Sequence, residues 1–126
     1  MSDLLIPVSI GELIDKITIL ELKKQKIIDP NKLINIINEL DKLVDIKSTL
    51  NIKGIEECQE KLFAVNEKLW EVEDDLRELE KKSIFDSHFI DLARSVYKLN
   101  DLRSKIKKQI NLLSGSSIIE EKSYVE

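Results

Sequence analysis

Two pairs of carboxylates three residues apart, Glu57 with Glu60 and Glu71 with Asp74, come nearest in this sequence to a metal-binding or acid–base constellation. Residues at i and i+3 share a helix face, and two such faces brought together can hold Mg2+, a hard cation that takes oxygen ligands. Here both pairs fall within one uninterrupted helical pattern, about 20 Å apart by helical rise, so they do not converge. With 24 acidic residues in the chain, such pairs arise by chance. Cys58 is the sole cysteine and His88 the sole histidine, which rules out an intrachain disulfide, a thiolate cluster and a two-His zinc motif. Cys58 occupies an apolar seam position and reads as a buried structural thiol rather than a nucleophile. His88 falls in the first turn of a helix, exposed or packed on the turn. No G-x-S-x-G or Walker pattern is present. The sequence therefore assigns no catalytic residue, no metal ligand and no cofactor.

Polar residues set among apolar ones are more informative. Glu12, Asp15 and Lys16 interrupt a greasy segment, and Arg94, Tyr97, Asn100 and Arg103 mix long polar side chains with an apolar seam. Together with Glu67 and Asp74 they make up the candidate polar site. Its first reading is a structural salt-bridge network, in which Arg103 either snorkels along its stem or pairs with a carboxylate such as Asp15 or Glu67. The other reading is a small binding pocket between helices, the usual place for a site in a helical bundle. The acidic stretch from Glu71 to Glu80, interleaved with Arg77, is first of all a solvated face. A basic partner is its other use. Lys105, Lys107 and Lys108 read as charge that complements a helix C-terminus.

Four helices must position these groups. Ser9 stands three residues before Glu12, the spacing of a capping box, and opens helix 1, expected over about residues 10–28. Gly11 in its first turn costs helix propensity and marks a place of close packing. Ile10, Leu13, Ile17 and Leu20 form one stripe, while Ile14, Ile19 and Leu22 lie off it. A helix apolar on more than one side belongs in the middle of an assembly. Asp29-Pro30 then caps and starts helix 2, about 30–48. Helix 3, about 54–82, carries Ile55, Cys58, Leu62, Val65, Leu69, Val72, Leu76 and Leu79 in alternating steps of three and four. That is coiled-coil spacing, and Asn66 beside it is a candidate for fixing register. Helix 4, about 87–113, begins at Asp86 and continues the same spacing from Phe89 to Leu113. Residues 114–126 are a short tail. The expected fold is all-α in one domain. Two antiparallel hairpins, the second long and coiled-coil-like, pack as a four-helix bundle or a partly open one.

Phe63 and Trp70 are one heptad apart and off the helix 3 seam, so a simple hairpin leaves them in water. They either contact helices 1 and 2 or form a subunit or partner interface. Helices 3 and 4 outreach the first pair by about 13 Å, and self-association is one way to cover the excess, a dimer being the first choice. Lys and Arg number 20 against 24 Asp and Glu, for a formal charge of −4. This balance speaks against a nucleic-acid binder. No segment approaches the roughly 20 apolar residues of a membrane span, and the start lacks the basic region of a signal peptide. The free thiol makes the cytoplasm the expected compartment.

Several separated blocks carry a resemblance over most of the chain, from Ile6 to Tyr124. They are Val8 to Leu20, Asp29-Pro30 with Lys32-Leu33, Val65 to Trp70 with Glu73 to Asp75, Phe89 to Lys98 with Asn100-Asp101, and Ile110 to Leu112 with Glu120 to Tyr124. Together they resemble a family of small uncharacterised bacterial and phage proteins known only as a domain of unknown function. The resemblance implies company with glycosyltransferase and surface-polysaccharide genes, hence a helper role, and it implies no activity for particular residues. Two other likenesses do not hold. The paired acidic motifs resemble those of all-α nucleotide pyrophosphohydrolases, which need them on neighbouring helices. Glu12 to Lys16 resembles the opening helix of prephenate-forming mutases, where an Arg is expected in place of Glu12. The function expected from the whole is a non-catalytic, self-associating helical interaction or assembly protein, accessory to surface-polysaccharide synthesis. The alternative is a small-molecule, sugar-nucleotide-like binding protein or enzyme with a polar cleft between the hairpins.

Overall fold

The computed structural model describes residues 2–123 and contains four helices, with no strand among the described residues. They are α1 (Ile10–Lys26), α2 (Pro30–Ser48), α3 (Ile55–Lys81) and α4 (Ser87–Ser114). Their ends follow local chemistry. Asp29 accepts hydrogen bonds from the amides of Asn31 and Lys32, with Pro30 next to it supplying a preset φ and no amide to satisfy. Asp86 caps α4 through the Phe89 amide. Gly54 before α3 and Gly115 after α4 have φ of 86° and 66°, backbone that a side chain disfavours.

α1 is the hub. Its backbone approaches α2, α3 and α4, and α3 with α4 makes the most extensive pair, whereas α2 approaches α1 alone. The bundle is therefore open on the α2 side. Leu13, Ile14, Ile17 and Leu20 of α1 meet Ile36 and Leu40 of α2, Cys58, Leu62, Val65 and Leu69 of α3, and Ile106 and Ile110 of α4 in one core. Ile14 and Ile17 of α1, with Leu62 and Ile110, are completely buried, as expected where a helix apolar on more than one side lies in the middle of an assembly.

α1 lies over the open end of the α3–α4 hairpin. Gly11 abuts Lys107 and Asn111 near the end of α4, and Asp15 meets Arg103 of α4 and Asn66 of α3. Farther along, Glu21 and Gln25 border the start of α3 from Glu56 to Phe63. Burial in α3 accordingly stops at Val72, and in α4 it starts at Ile106. The remainder of the hairpin projects as a two-helix arm, with Leu76, Leu79, Leu92, Val96 and Leu99 half-buried along its seam. Phe85 and Phe89 stack edge to face at its tip, ring centroids 5.2 Å apart.

Where α1 borders α3, burial pushes the Glu21 carboxyl above the usual carboxylate value of 4.5; Lys47 opposes the shift and Glu56 adds to it. A raised carboxyl pKa means that the folded state favours the neutral acid. This group therefore subtracts stability as pH rises above 4.5. Glu21→Gln is expected to raise the melting temperature at pH 7, with the gain disappearing as pH falls below 4.5. Melting curves of both proteins at pH 7 and pH 4 measure it, and a gain that persists at the lower pH would contradict the assignment.

Candidate functional site

Five polar residues are buried among the described residues: Ser9, Asp15, Thr18, Asn66 and Asn111. They line the contact of α1 with α3 and α4, and each side chain has a hydrogen-bond partner: another of the five, a charged neighbour or, for Asn111, the Gly11 amide. At the centre is Asp15, only 1% exposed. Its Oδ1 accepts from Arg103 Nε at 3.0 Å and from Asn66 Nδ2 at 2.9 Å, and its Oδ2 accepts from Arg103 Nη2 at 2.5 Å. This is a two-pronged guanidinium–carboxylate pair, the strongest geometry available to these side chains. The hydrogen bond to Asp15 is also the main reason the Arg103 guanidinium is held above its ordinary pKa, against the effect of burial. Asn66 Nδ2 additionally donates to Thr18 Oγ1 at 2.9 Å, and Thr18 donates in turn to the Asp15 carbonyl.

The N-terminus of α1 is closed by the far end of the chain. The Ile10 amide donates to Ser116 Oγ, the Gly11 amide to Asn111 Oδ1 at 2.6 Å, the Glu12 amide to Ser9 Oγ and the Leu13 amide to the Ser9 carbonyl. Three of the four amides that a helix start leaves open, those of Ile10, Gly11 and Glu12, are thus satisfied by side chains, and the Leu13 amide makes the first intrahelical bond. The expected capping box forms only in half, because Glu12 does not return to Ser9. Its carboxylate accepts from Lys107 Nζ at 2.6 Å, and Ser9 Oγ donates to Glu120 at 2.7 Å. Lys107 is likewise more than a helix-end charge: it lies between Glu12, Asp15 and Glu120. Lys108 holds Glu121 at 3.0 Å, so the tail runs as a strap over the meeting point of α1 and α4. Tyr124, at the end of the last resembling block, lies outside the described residues.

Of the residues singled out in the sequence, Glu12, Asp15, Asn100 and Arg103 come together here. Asn100 Oδ1 receives a long hydrogen bond of 3.4 Å from Arg103 Nη1. Lys16 stands exposed on the rim of an adjoining groove of about 290 Å3, which Glu12, Asp15, Lys23, Glu39 and Arg103 also line. Glu67 is half-buried on α3 and takes no part in the network, the carboxylate chosen by Arg103 being Asp15. Asp74, Arg94 and Tyr97 are exposed on the arm, beyond the reach of α1. Phe63 is half-buried against the groove bordered by Glu21 and Gln25 of α1, and Trp70 is also half-buried. His88 is exposed and Cys58 is a buried free thiol. Sequence reasoning missed Thr18, Lys107 and Asn111 as members of the network. The phase of Asn111, one turn after Lys107 on α4, is the signal that a pairing of α1 with the end of α4 would have required.

Chemically, the arrangement is a satisfied ion-pair network with one open side. Arg103 uses its inner edge, Nε and Nη2, on Asp15, and its outer edge meets only Asn100 among the described residues. No group of His, Cys, Asp and Glu side chains able to hold a metal ion occurs among the described residues. Among the described residues, no helix is long and apolar enough to cross a membrane.

Residues 4–126 match a protein-family model described as a family of unknown function, DUF6165. No curated protein and no solved structure matches the chain.

Proposed function

We propose that this chain, which belongs to that family of unknown function, works as a non-catalytic helical interaction or assembly protein and associates with copies of itself. The observation that carries this reading is an uncovered apolar surface on the open side of the bundle. Ile37 and Val44 share a helical phase on α2, 40% and 41% exposed, with Ile34, 66% exposed, about 60° to one side of them. Leu4 and Leu5 are about 90% exposed, on a segment whose Asp3 forms an ion pair with Lys42 of α2. Scattered apolar side chains are normal on a protein surface, but a run of them along one helix marks an interaction face. The buried polar groups, by contrast, are occupied with one another, which suits a structural role better than catalysis.

The reading places one all-helical domain in the cytoplasm, as a dimer, with no nucleic acid or membrane among its partners. Its setting beside surface-polysaccharide synthesis rests on the resemblance of the sequence blocks and not on geometry. Phe63 and Trp70 are secondary interface candidates.

The test is a native mass spectrum of untagged protein, wild type against Ile34→Lys/Ile37→Lys. Wild type is expected at twice the chain mass and the variant at the chain mass. Both substitutions are at exposed positions, so the monomer should lose no more than about 0.5 kcal/mol per site. A wild-type protein that stays monomeric at tens of micromolar and retains no partner from its native extract would overturn the proposal.

A further inference from the structure

Arg103 is the one residue of the network that is both fixed and unfinished. Asp15 grips its inner edge at 3.0 and 2.5 Å, which sets the plane and direction of the guanidinium. Arg has five N–H donors in a rigid fork. Two of them serve Asp15 and a third makes the long contact with Asn100. The outer edge therefore keeps a donor on Nη1 and one on Nη2, and the side chain is 29% exposed. On the Nη1 side, where Arg103 meets Asn100, both residues border a small polar hollow of about 90 Å3 that Ser104, Lys107 and Lys122 also line. One water needs roughly 10–15 Å3 of such space, so the hollow has room for several waters or one small oxyanion. Every lining side chain carries a hydrogen-bond donor, three of the five are cationic, and none is a carboxylate.

We infer that the outer edge of Arg103, with Asn100, Ser104, Lys107 and Lys122, is a binding site for a phosphate group. Bidentate contact with a tetrahedral oxyanion is what a guanidinium fork held from behind provides. Ser104 adds a hydroxyl donor, and Lys107 and Lys122 add point charges. Lys122 makes no ion pair among the described residues, whereas Lys107 is shared with Glu12 and Glu120. Nearby carboxylates thus offset much of the positive charge. Affinity for a lone phosphate is accordingly weak, a dissociation constant on the order of 1 mM, and a phosphate ester gains from whatever its organic part touches. The larger groove that Arg103 also lines, with Lys16 and Lys23 as well as Glu12 and Glu39 on its walls, is the space available to that part. This site is independent of the α2 face, so dimerisation and phosphate binding stand or fall separately.

The experiment is an NMR titration of the full chain, following the Arg103 Nε–Hε signal and the amides from Asn100 to Lys107. Inorganic phosphate, a hexose 1-phosphate and a nucleoside diphosphate hexose are added at constant ionic strength, with chloride as control. The expected result is saturable movement of the Arg103 signal by phosphate and not by chloride. Tighter binding of either ester would identify an organic phosphate as the ligand, and equal binding would assign the site to the phosphate alone. Arg103→Lys, which keeps the charge and loses the fork, should weaken binding at least 10-fold. Lys122→Ala, on the exposed tail, should weaken it roughly 3-fold and tests the site even where the Arg103 variant folds poorly. An Arg103 signal that does not move, that moves equally with chloride, or that responds undiminished in Lys122→Ala would overturn the inference.

Discussion

Arg103→Ala is expected to destabilise the fold by about 3–5 kcal/mol, the range for removing one partner of a buried ion pair. The cost comes from the group left behind. Asp15 is 1% exposed and would keep Asn66 as its only hydrogen-bond donor among the described residues, with Lys107 still 3.9 Å away. The reverse change, Asp15→Ala, is expected to cost less, about 2–3 kcal/mol, because Arg103 has a partly exposed stem along which to withdraw into solvent. Removing both partners should therefore cost clearly less than the sum, with a coupling of at least about 2 kcal/mol. Urea denaturation of the four proteins measures this, at one fixed protein concentration because any self-association shifts the midpoint. A loss below about 1 kcal/mol for Arg103→Ala would show that water reaches Asp15, and additive single effects would show that the pair does not act as one unit.

Gly11→Ala should destabilise the protein, in the direction opposite to helix propensity. On propensity alone, alanine in a helix is favoured over glycine by about 1 kcal/mol. Here an added Cβ would come 2.5 Å from the Lys107 carbonyl oxygen and 2.9 Å from Asn111 Oδ1. The first of these atoms is helix backbone and cannot rotate aside, so α1 must lift from α4. That displacement stretches the 2.6 Å bond from the Gly11 amide to Asn111 and disturbs the Glu12–Lys107 pair one residue on. Overpacking costs typically 1–3 kcal/mol, and a lost hydrogen bond about 1 kcal/mol more. The net expectation is a loss of about 2 kcal/mol, or roughly 8 °C in melting temperature for a chain of this size. A variant that melts above the wild type would mean that α1 and α4 are farther apart than the structure places them.

Both expectations rest on contacts between residues about a hundred positions apart, and this marks the limit of what the chain reveals without its fold. The helices were readable because their causes are local. Asp29 beside Pro30 and Asp86 cap amides within three residues of themselves, and the seams from Ile55 to Leu79 and from Phe89 to Leu113 state their phase directly. The central place of α1 was readable too, since Ile14 and Leu22 beside the Leu13–Ile17 stripe make it apolar on more than one side. Asp15 and Arg103 stood out as charges set among apolar residues.

Phase along one helix does not say which turn of another helix it will meet. That is decided by how α1 lies over the hairpin, and tertiary packing alone made that choice. It brought Asp15 to Arg103, 88 residues on, and Glu12 to Lys107, Gly11 to Asn111 and Ser9 to Glu120 at separations of 95, 100 and 111. The same choice left Asp74, Arg94 and Tyr97 on the arm, although nothing in their types or spacing distinguishes them from the residues that met. Local capping and apolar periodicity are encoded within a few turns of chain. The partners of a buried charge are selected by the whole core, because only the packed arrangement shows which donor arrives where water has been excluded.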